Sequence, residues 1–178
     1  MELYKMKTNA NSPVNPVYLE SEKYAYSLTK ENFMKMPESS AGYYEYKNTV
    51  VIPDVMMAPT YMVSNLIKDT ISIYDSSIVF KNIILLPNNE DDLNKGVQMF
   101  NIPNLPRINC LSEESVILPN GAVKEVLLDE AKIQNKDIFM IDNVVENIVI
   151  VSLRLMESIL RRNVFGVKFE RVKILGRQ

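Results

Sequence analysis

From residue 137 onward the chain leaves little freedom in how it can fold. Asp137-Ile-Phe-Met-Ile141 and Ile148-Val-Ile-Val-Ser152 are short apolar runs rich in β-branched residues, the composition of buried strands. Ser152 supplies a side-chain oxygen that can accept a hydrogen bond from a free amide of a first helical turn, so a helix is expected over 153–162. Leu153, Met156, Ile159 and Leu160 recur at the spacing of one helical face, while Arg154, Glu157, Arg161 and Arg162 fall outside it. Arg161 and Arg162 also suit the negative end of a helix. Asn163 tolerates the left-handed conformation that ends helices, Gly166 adds backbone freedom, and the residues over 164–169 return to strand character. The segment reads strand, capped helix, strand, a C-terminal strand-helix-strand unit.

Upstream the signals are shorter. A strand is expected over 3–6, followed by dense turn chemistry from Thr8 to Pro16. Tyr24, Leu28 and Phe33 have loose helical spacing, which predicts a helix within 24–36 stopped by Pro37. Tyr43, Tyr44 and Tyr46 come next, then a strand over 49–52 ended by Pro53. Thr60 is placed to cap a helix over 61–68, with strands over 71–74 and 77–86. Residues 87–96 form a polar loop by composition, and strand character resumes over 97–102. Pro103 and Pro106 keep the following stretch irregular or at a sheet edge. Pro119-Asn-Gly121 signals a tight turn between 115–118 and 123–128. No repeat, heptad series or linker stands out. The whole, residues 1–178, reads as a single α+β domain with a largely antiparallel or mixed sheet and a few short helices.

Composition narrows the chemistry. With 178 residues, 47% of them hydrophobic, the chain can bury a sizeable core. It contains no histidine, which removes Ser-His-Asp and Cys-His catalysis, most catalytic zinc sites and the usual near-neutral proton shuttle. One cysteine, Cys110, permits no internal disulfide and reads as a small buried hydrophobe. Five glycines, at 42, 96, 121, 166 and 176, form no phosphate-binding fingerprint. No apolar run is long enough to span a bilayer and the first residues carry no secretory pattern, so the expected compartment is cytoplasmic. A net charge of −2 argues against nucleic-acid affinity. The charge is unevenly spread: residues 61–136 hold seven basic and ten acidic residues, residues 137–178 seven and five.

Two groups stand out as candidate partner-binding residues. Glu90, Asp91 and Asp92 are consecutive acids in a polar loop, without the alternating oxygen ligands, central glycine and distant glutamate of a calcium loop, so they suit a basic protein surface better than a metal. Tyr43 and Tyr44 carry the amphipathic rings that interfaces favour, although adjacent positions in a strand turn one ring toward the core. Adjacent acids such as Glu113-Glu114 and Asp129-Glu130 would diverge on a strand, which disfavours paired acid catalysis. No catalytic, cofactor or metal residue is assigned. The alternatives are a carboxylate-dependent enzyme, with or without magnesium, and a structural or regulatory protein-binding module.

Asp137-Ile-Phe139, the strand ending at Ser152, the amphipathic helix and Gly166-Val-Lys-Phe169, preceded by Val126-Leu-Leu-Asp-Glu130, resemble the C-terminal signature of a family of bacterial immunity proteins of polymorphic and contact-dependent toxin systems. The similarity is best over 123–175. Weaker matches are Pro59-Thr60 with Met62, Val63, Leu66 and Ile67, similar to a short central helix of such proteins, and Leu3 to Met6, similar to their opening strand; residues 9–46 match nothing. The resemblance implies a cytoplasmic, non-enzymatic protein that binds and neutralises a cognate toxin domain, with no cofactor, nucleic acid or membrane involved.

Overall fold

The computed structural model describes residues 2–9, 17–20, 29–47, 51–133 and 135–176. In chain order these residues form β1 (Leu3–Thr8), β2 (Val17–Leu19), α1 (Lys30–Lys35), β3 (Ser39–Tyr44), β4 (Val55–Met56), β5 (Met62–Ser64), α2 (Asn65–Tyr74) and β6 (Phe80–Pro87). A 3₁₀ turn over Glu90–Asp92 leads into α3 (Leu93–Gly96) and β7 (Gln98–Pro103). Then come β8 (Arg107–Ile108), β9 (Val116–Ile117), β10 (Val123–Glu125), β11 (Leu127–Asp129), β12 (Ile138–Ile141), β13 (Val149–Ser152), α4 (Leu153–Leu160), β14 (Val167–Arg171) and β15 (Lys173–Leu175). The architecture is a single α+β domain, as expected.

The C-terminal helix forms where its residues imply, but its buried face centres on Leu155 and Ile159, and Leu160, expected on that face, is 51% exposed. Ser152 caps α4, its Oγ accepting from the amide of Leu155 at 3.3 Å, and Asn163 and Gly166 both take positive φ, 54° and 68°, to turn the chain into β14. That strand begins at Val167, later than the run over 164–169 implied, because the left-handed residues occupy its start.

The strands assemble into two main sheets. One has five strands in the order β14-β1-β13-β12-β8, the other six in the order β2-β3-β6-β7-β5-β4. Within them lies a duplication that the sequence did not reveal. The hairpin β12-β13 leads into α4, and β14 then returns parallel to β13 with antiparallel β1 between them. The hairpin β4-β5 leads into α2, and β6 returns parallel to β5 with antiparallel β7 between them. Asp137 and Asp54 begin the two hairpins, and their carbonyls accept from the amides of Ser152 and Ser64, each at 2.9 Å. Ile67 and Ile71 of α2 then match Leu155 and Ile159 of α4, all fully buried.

Those four side chains join Val63, Val151, Met6, Ile138 and Val149 in one core shared by both sheets. The helices run antiparallel: Tyr74, at the end of α2, donates its hydroxyl hydrogen to the carbonyl of Arg154 at the start of α4 (3.1 Å), while Asp54, beside the start of α2, accepts from the amide of Phe165 beyond α4 (2.6 Å). Each sheet also has a second core on its other face, one around Phe33, Tyr44, Met62, Ile83 and Phe100, the other around Leu3, Phe139, Ile141 and Ile150. Burying each aliphatic side chain contributes about 1.5–3 kcal/mol, against about 1 kcal/mol for a cap, so packing decides where the two helices lie, and a side-chain cap marks the start of α4 alone.

Three expectations are corrected. Thr60 does not cap a helix over 61–68: residues 62–64 pair with β4 and β7 as β5, and the helix starts after Ser64. Residues 71–74 are the end of α2, since Ile67 and Ile71, four apart, point into the same core. Val51 and Ile52 lie outside any strand; the other residues of the run over 49–52 lie outside the described ones. Residues 10–16 and 24–28, assigned to a turn-rich loop and the beginning of a helix, also lie outside them. The described part of that helix is α1, which is capped by Thr29 Oγ1 on the amide of Asn32 and ends before Pro37.

Candidate protein-interaction surface

Along β6 burial alternates: Lys81, Ile83, Leu85 and Pro87 are buried, while Phe80, Asn82, Ile84 and Leu86 are half-buried. The first set faces the core under α1. The second shares its face with Val63 and Asn101, since Asn82 pairs with Asn101 and Asn101 with Val63. Helix α2 covers that face at its β5 end. Asn101, fully buried, donates from Nδ2 to Asn65 Oδ1 at 2.8 Å, and Lys68 Nζ lies 6.0 Å from the centre of the Phe80 ring.

Toward β3 and β2 the same face is open. Register places Tyr18, Tyr43 and Leu86 in one row across β2, β3 and β6, and Ala41, Ile84 and Met99 in the next across β3, β6 and β7. Tyr18 is 63% exposed, Met99 49% and Tyr43 38%. Two adjoining rows therefore present apolar and aromatic side chains to solvent on a backbone fixed by strand pairing. Such contiguous patches mark interaction sites where scattered apolar residues do not.

The acidic loop leaves the sheet at this end and comes back on the opposite, core-facing side, where Gly96 lies against Tyr44, Tyr46 and Pro87. Tyr44 pairs with Pro87, and the amide of Asn88 donates to the Tyr44 carbonyl at 2.9 Å, so the loop leaves the sheet beside the first row. Asn89 Oδ1 caps the turn by accepting from the amide of Asp91 at 3.2 Å. Glu90 and Asp91 are exposed; Asp92 is half-buried, 3.6 Å from Lys95. Tyr43 and the loop that carries Glu90, Asp91 and Asp92 thus lie at the same end of the sheet, with the loop fastened on the Tyr44 side and Tyr43 on the other.

Tyr44 does not belong to this surface, a correction of its assignment. Its ring is 1% exposed, meets Tyr46 edge-on at 6.5 Å, and its hydroxyl donates to the carbonyl of Gly96. Burial, with Tyr46 and Asp92 nearby, raises its pKa above the ordinary tyrosine value. Its role is to fasten the end of the acidic loop to the core. Tyr18, Ile84, Leu86 and Met99 were missed from sequence. The alternation within 80–87 carried a signal for Ile84 and Leu86, but which face lies open depends on how far α2 reaches, and that is set by tertiary packing.

A second polar cluster closes on itself. Asp137, 8% exposed, accepts from Ser152 Oγ at 2.6 Å and from both Nε and Nη2 of Arg154, whose guanidinium also lies 5.8 Å from the Tyr74 ring centre. Burial alone would raise the Asp137 pKa, but the hydrogen bonds from Arg154 and Ser152, with the Arg154 charge, outweigh it and hold the carboxyl below its usual value. Beside it Asp75 pairs with Lys136 at 3.3 Å and accepts from the Ser77 hydroxyl, hydrogen bonds that lower its pKa too. These charges are spent on one another and on capping α4, which is structural work. Among the described residues, no three His, Cys, Asp or Glu side chains come close enough together to hold a metal ion. No helix among the described residues is long and apolar enough to cross a membrane. No family model matches the chain, and no curated protein matches it in sequence.

Proposed function

We propose that this chain is a cytoplasmic immunity protein: it binds a cognate bacterial toxin domain and neutralises it by protein contact, with no bond-making of its own. The observation that carries the reading is the open apolar face on β2, β3, β6 and β7, a surface of interface-type residues on a backbone fixed by strand pairing. The C-terminal similarity to immunity proteins supports it. Asp137, Ser152 and Gly166, which belong to that similarity, all serve the scaffold: they start the hairpin, cap α4 and turn the chain.

Binding alone suffices for such a protein, because occluding a toxin's active site or substrate entry needs affinity and fit, with a few buried aromatic anchors supplying most of the energy. The test is co-expression. Cells making the toxin domain encoded in the adjoining reading frame are expected to survive when this chain is made and to die when it is not. Equal death in both cases refutes the proposal.

A further inference from the structure

Independently of that reading, we infer that the outer edge of β14 docks a second copy of this chain, the two β14 strands pairing antiparallel across a two-fold axis at Phe169. β14 ends the five-stranded sheet, with β1 on one side and no strand on the other among the described residues. At five residues it is the longest sheet edge left open, since β8 and β4 have two residues and β2 three. Its counterpart in the duplicated unit, β6, has the same edge filled by β3. Register shows which backbone groups face outward. The amide of Val172 donates to the carbonyl of Leu3 at 2.9 Å, and that of Asn9 to the carbonyl of Gly166 at 2.8 Å. Hydrogen-bonded pairs in an antiparallel ladder recur at every second residue, so Gly166, Lys168, Glu170 and Val172 turn their backbone groups toward β1. Val167, Phe169 and Arg171 turn theirs away. Three N–H and three C=O groups, none bonded within the described residues, therefore stand in line as a template for one more strand.

The side chains select the occupant. Setting Phe169 against Phe169 of a second copy places Val167 opposite Arg171 and Arg171 opposite Val167, and all three pairs fall in hydrogen-bonding positions, so every outward group is used. Lys168 of each copy then lies opposite Glu170 of the other, in the closer, non-hydrogen-bonded kind of pair, with about 4.5 Å between Cα atoms. Glu170 is 3.0 Å from Lys168 and 2.7 Å from Lys7 of its own copy, so pairing closes a network of alternating charges. On the other face the half-buried Phe169 ring, packed against the core shared by both sheets, meets its own counterpart. Registers one step to either side set Lys168 against Lys168 or Glu170 against Glu170, which is repulsive, and they shorten the ladder. A lysine alone on an edge blocks pairing. A lysine with a glutamate two residues on instead asks for an antiparallel strand carrying the same Lys-x-Glu order, which the chain itself supplies. Such a contact is isologous and closes as a dimer.

The experiment follows the full chain by sedimentation velocity as its concentration is raised to the highest that stays soluble. Three variants are compared with the parent: Glu170→Lys, Lys168→Glu and Arg171→Pro. The proline removes one outward N–H and leaves the ladder to β1 and both charges in place, a position that edge strands accept. Lys47→Glu, an exposed reversal just beyond β3 in the other sheet, is the control. Unchanged circular dichroism establishes that each variant is folded. The parent is expected to dimerise with rising concentration. Each charge variant alone is expected to weaken dimerisation by roughly tenfold or more, because symmetry makes two like-charge pairs at once. An equimolar mixture of Glu170→Lys and Lys168→Glu is expected to associate as the parent does, since every lysine again meets a glutamate. Arg171→Pro is expected to stay monomeric, and the control to behave as the parent. A parent that is monomeric at every concentration overturns the inference, leaving the edge to some other chain. So do dimers that persist in all three variants, which place the contact elsewhere, and a mixture of the two charge variants that stays monomeric, which refutes the register.

Discussion

Replacing Asp137 by alanine probes the junction on which the C-terminal unit is built. The carboxylate is 8% exposed and accepts from Ser152 Oγ at 2.6 Å; in its absence the serine hydroxyl hydrogen is left without its acceptor in a buried place, although its oxygen still caps Leu155. A hydrogen bond to a buried charged group contributes about 1.5–3 kcal/mol. The guanidinium of Arg154 is 70% exposed on its side chain and can turn to water, so its ion pair adds little. The expected loss is therefore about 2–3 kcal/mol, a fall in melting temperature of roughly 5–10 °C for a chain of this size. Arg154→Ala should cost clearly less. The acid limb supplies the sign. Because the folded pKa of Asp137 lies below the unfolded value, its contribution is complete above about pH 4 and is lost as the pH falls through the folded pKa. Urea unfolding of parent and variant at neutral pH and at successively lower pH measures this, and the gap between the two curves should close on the acid side. A loss below about 0.5 kcal/mol, an Arg154→Ala cost equal to that of Asp137→Ala, or a gap that widens in acid would refute the argument.

Other perturbations follow from local geometry. Cys110 is fully buried and its thiol is pushed up to about 11, chiefly by burial, so at pH 8 it should stay protonated and resist a thiol reagent until urea unfolds the chain. Labelling of the folded protein at the rate of a free thiol would contradict this. At Asn163, whose φ is 54°, glycine should be neutral or slightly stabilising, whereas valine should cost about 1–2 kcal/mol in thermal unfolding. At Gly96 a Cβ would stand 2.7 Å from both Tyr44 Oη and Pro87 Cγ and 2.8 Å from Tyr46 Cδ2. Gly96→Ala is therefore expected to release the acidic loop from Tyr44, read as faster amide exchange over 88–96 with little change elsewhere.

What could be read from sequence was local. Ser152, Asn163 and Gly166 act on their own neighbours, and their roles followed from residue type. So did the β9-β10 hairpin at Pro119-Asn-Gly121, where Gly121 has a φ of 82° and Val123 pairs with Ile117. Ser64 shows the limit. It follows Met62-Val63 as Ser152 follows Ile150-Val151, yet the sequence favours Thr60 as the cap, because Tyr61 to Ile67 can be read at helical spacing and only pairing with β4 and β7 makes residues 62–64 a strand. Ser64 makes no side-chain capping bond, so local capping chemistry does not mark this start as strongly. For the site, the row of Tyr43 with Leu86 came from the parallel pairing of β3 with β6, two strands far apart in sequence. Tyr44 was misassigned because parity along a strand says that neighbours diverge and leaves open which of them faces inward.

The duplication accounts for where an open surface arises. In each unit the hairpin, helix and returning strand enclose one inserted strand, and the helix covers the face of its own sheet in the shared core. The six-stranded sheet continues past its returning strand, β6, with β3 and β2; the five-stranded sheet ends at its counterpart, β14. Two strands thus extend beyond the reach of α2, and among the described residues no helix covers their apolar outer side chains. Scaffold and surface should consequently separate under mutation. Changes in the duplicated parts, such as Leu155→Ala or Ile71→Ala, should lower stability by about 2–5 kcal/mol and weaken toxin protection only as folded protein is lost. Changes at Tyr18 or Met99 should weaken protection with the melting temperature unmoved. Plotted as protection against melting temperature, the two classes should fall on different lines, and a single common line would show that the open face contributes nothing beyond folding.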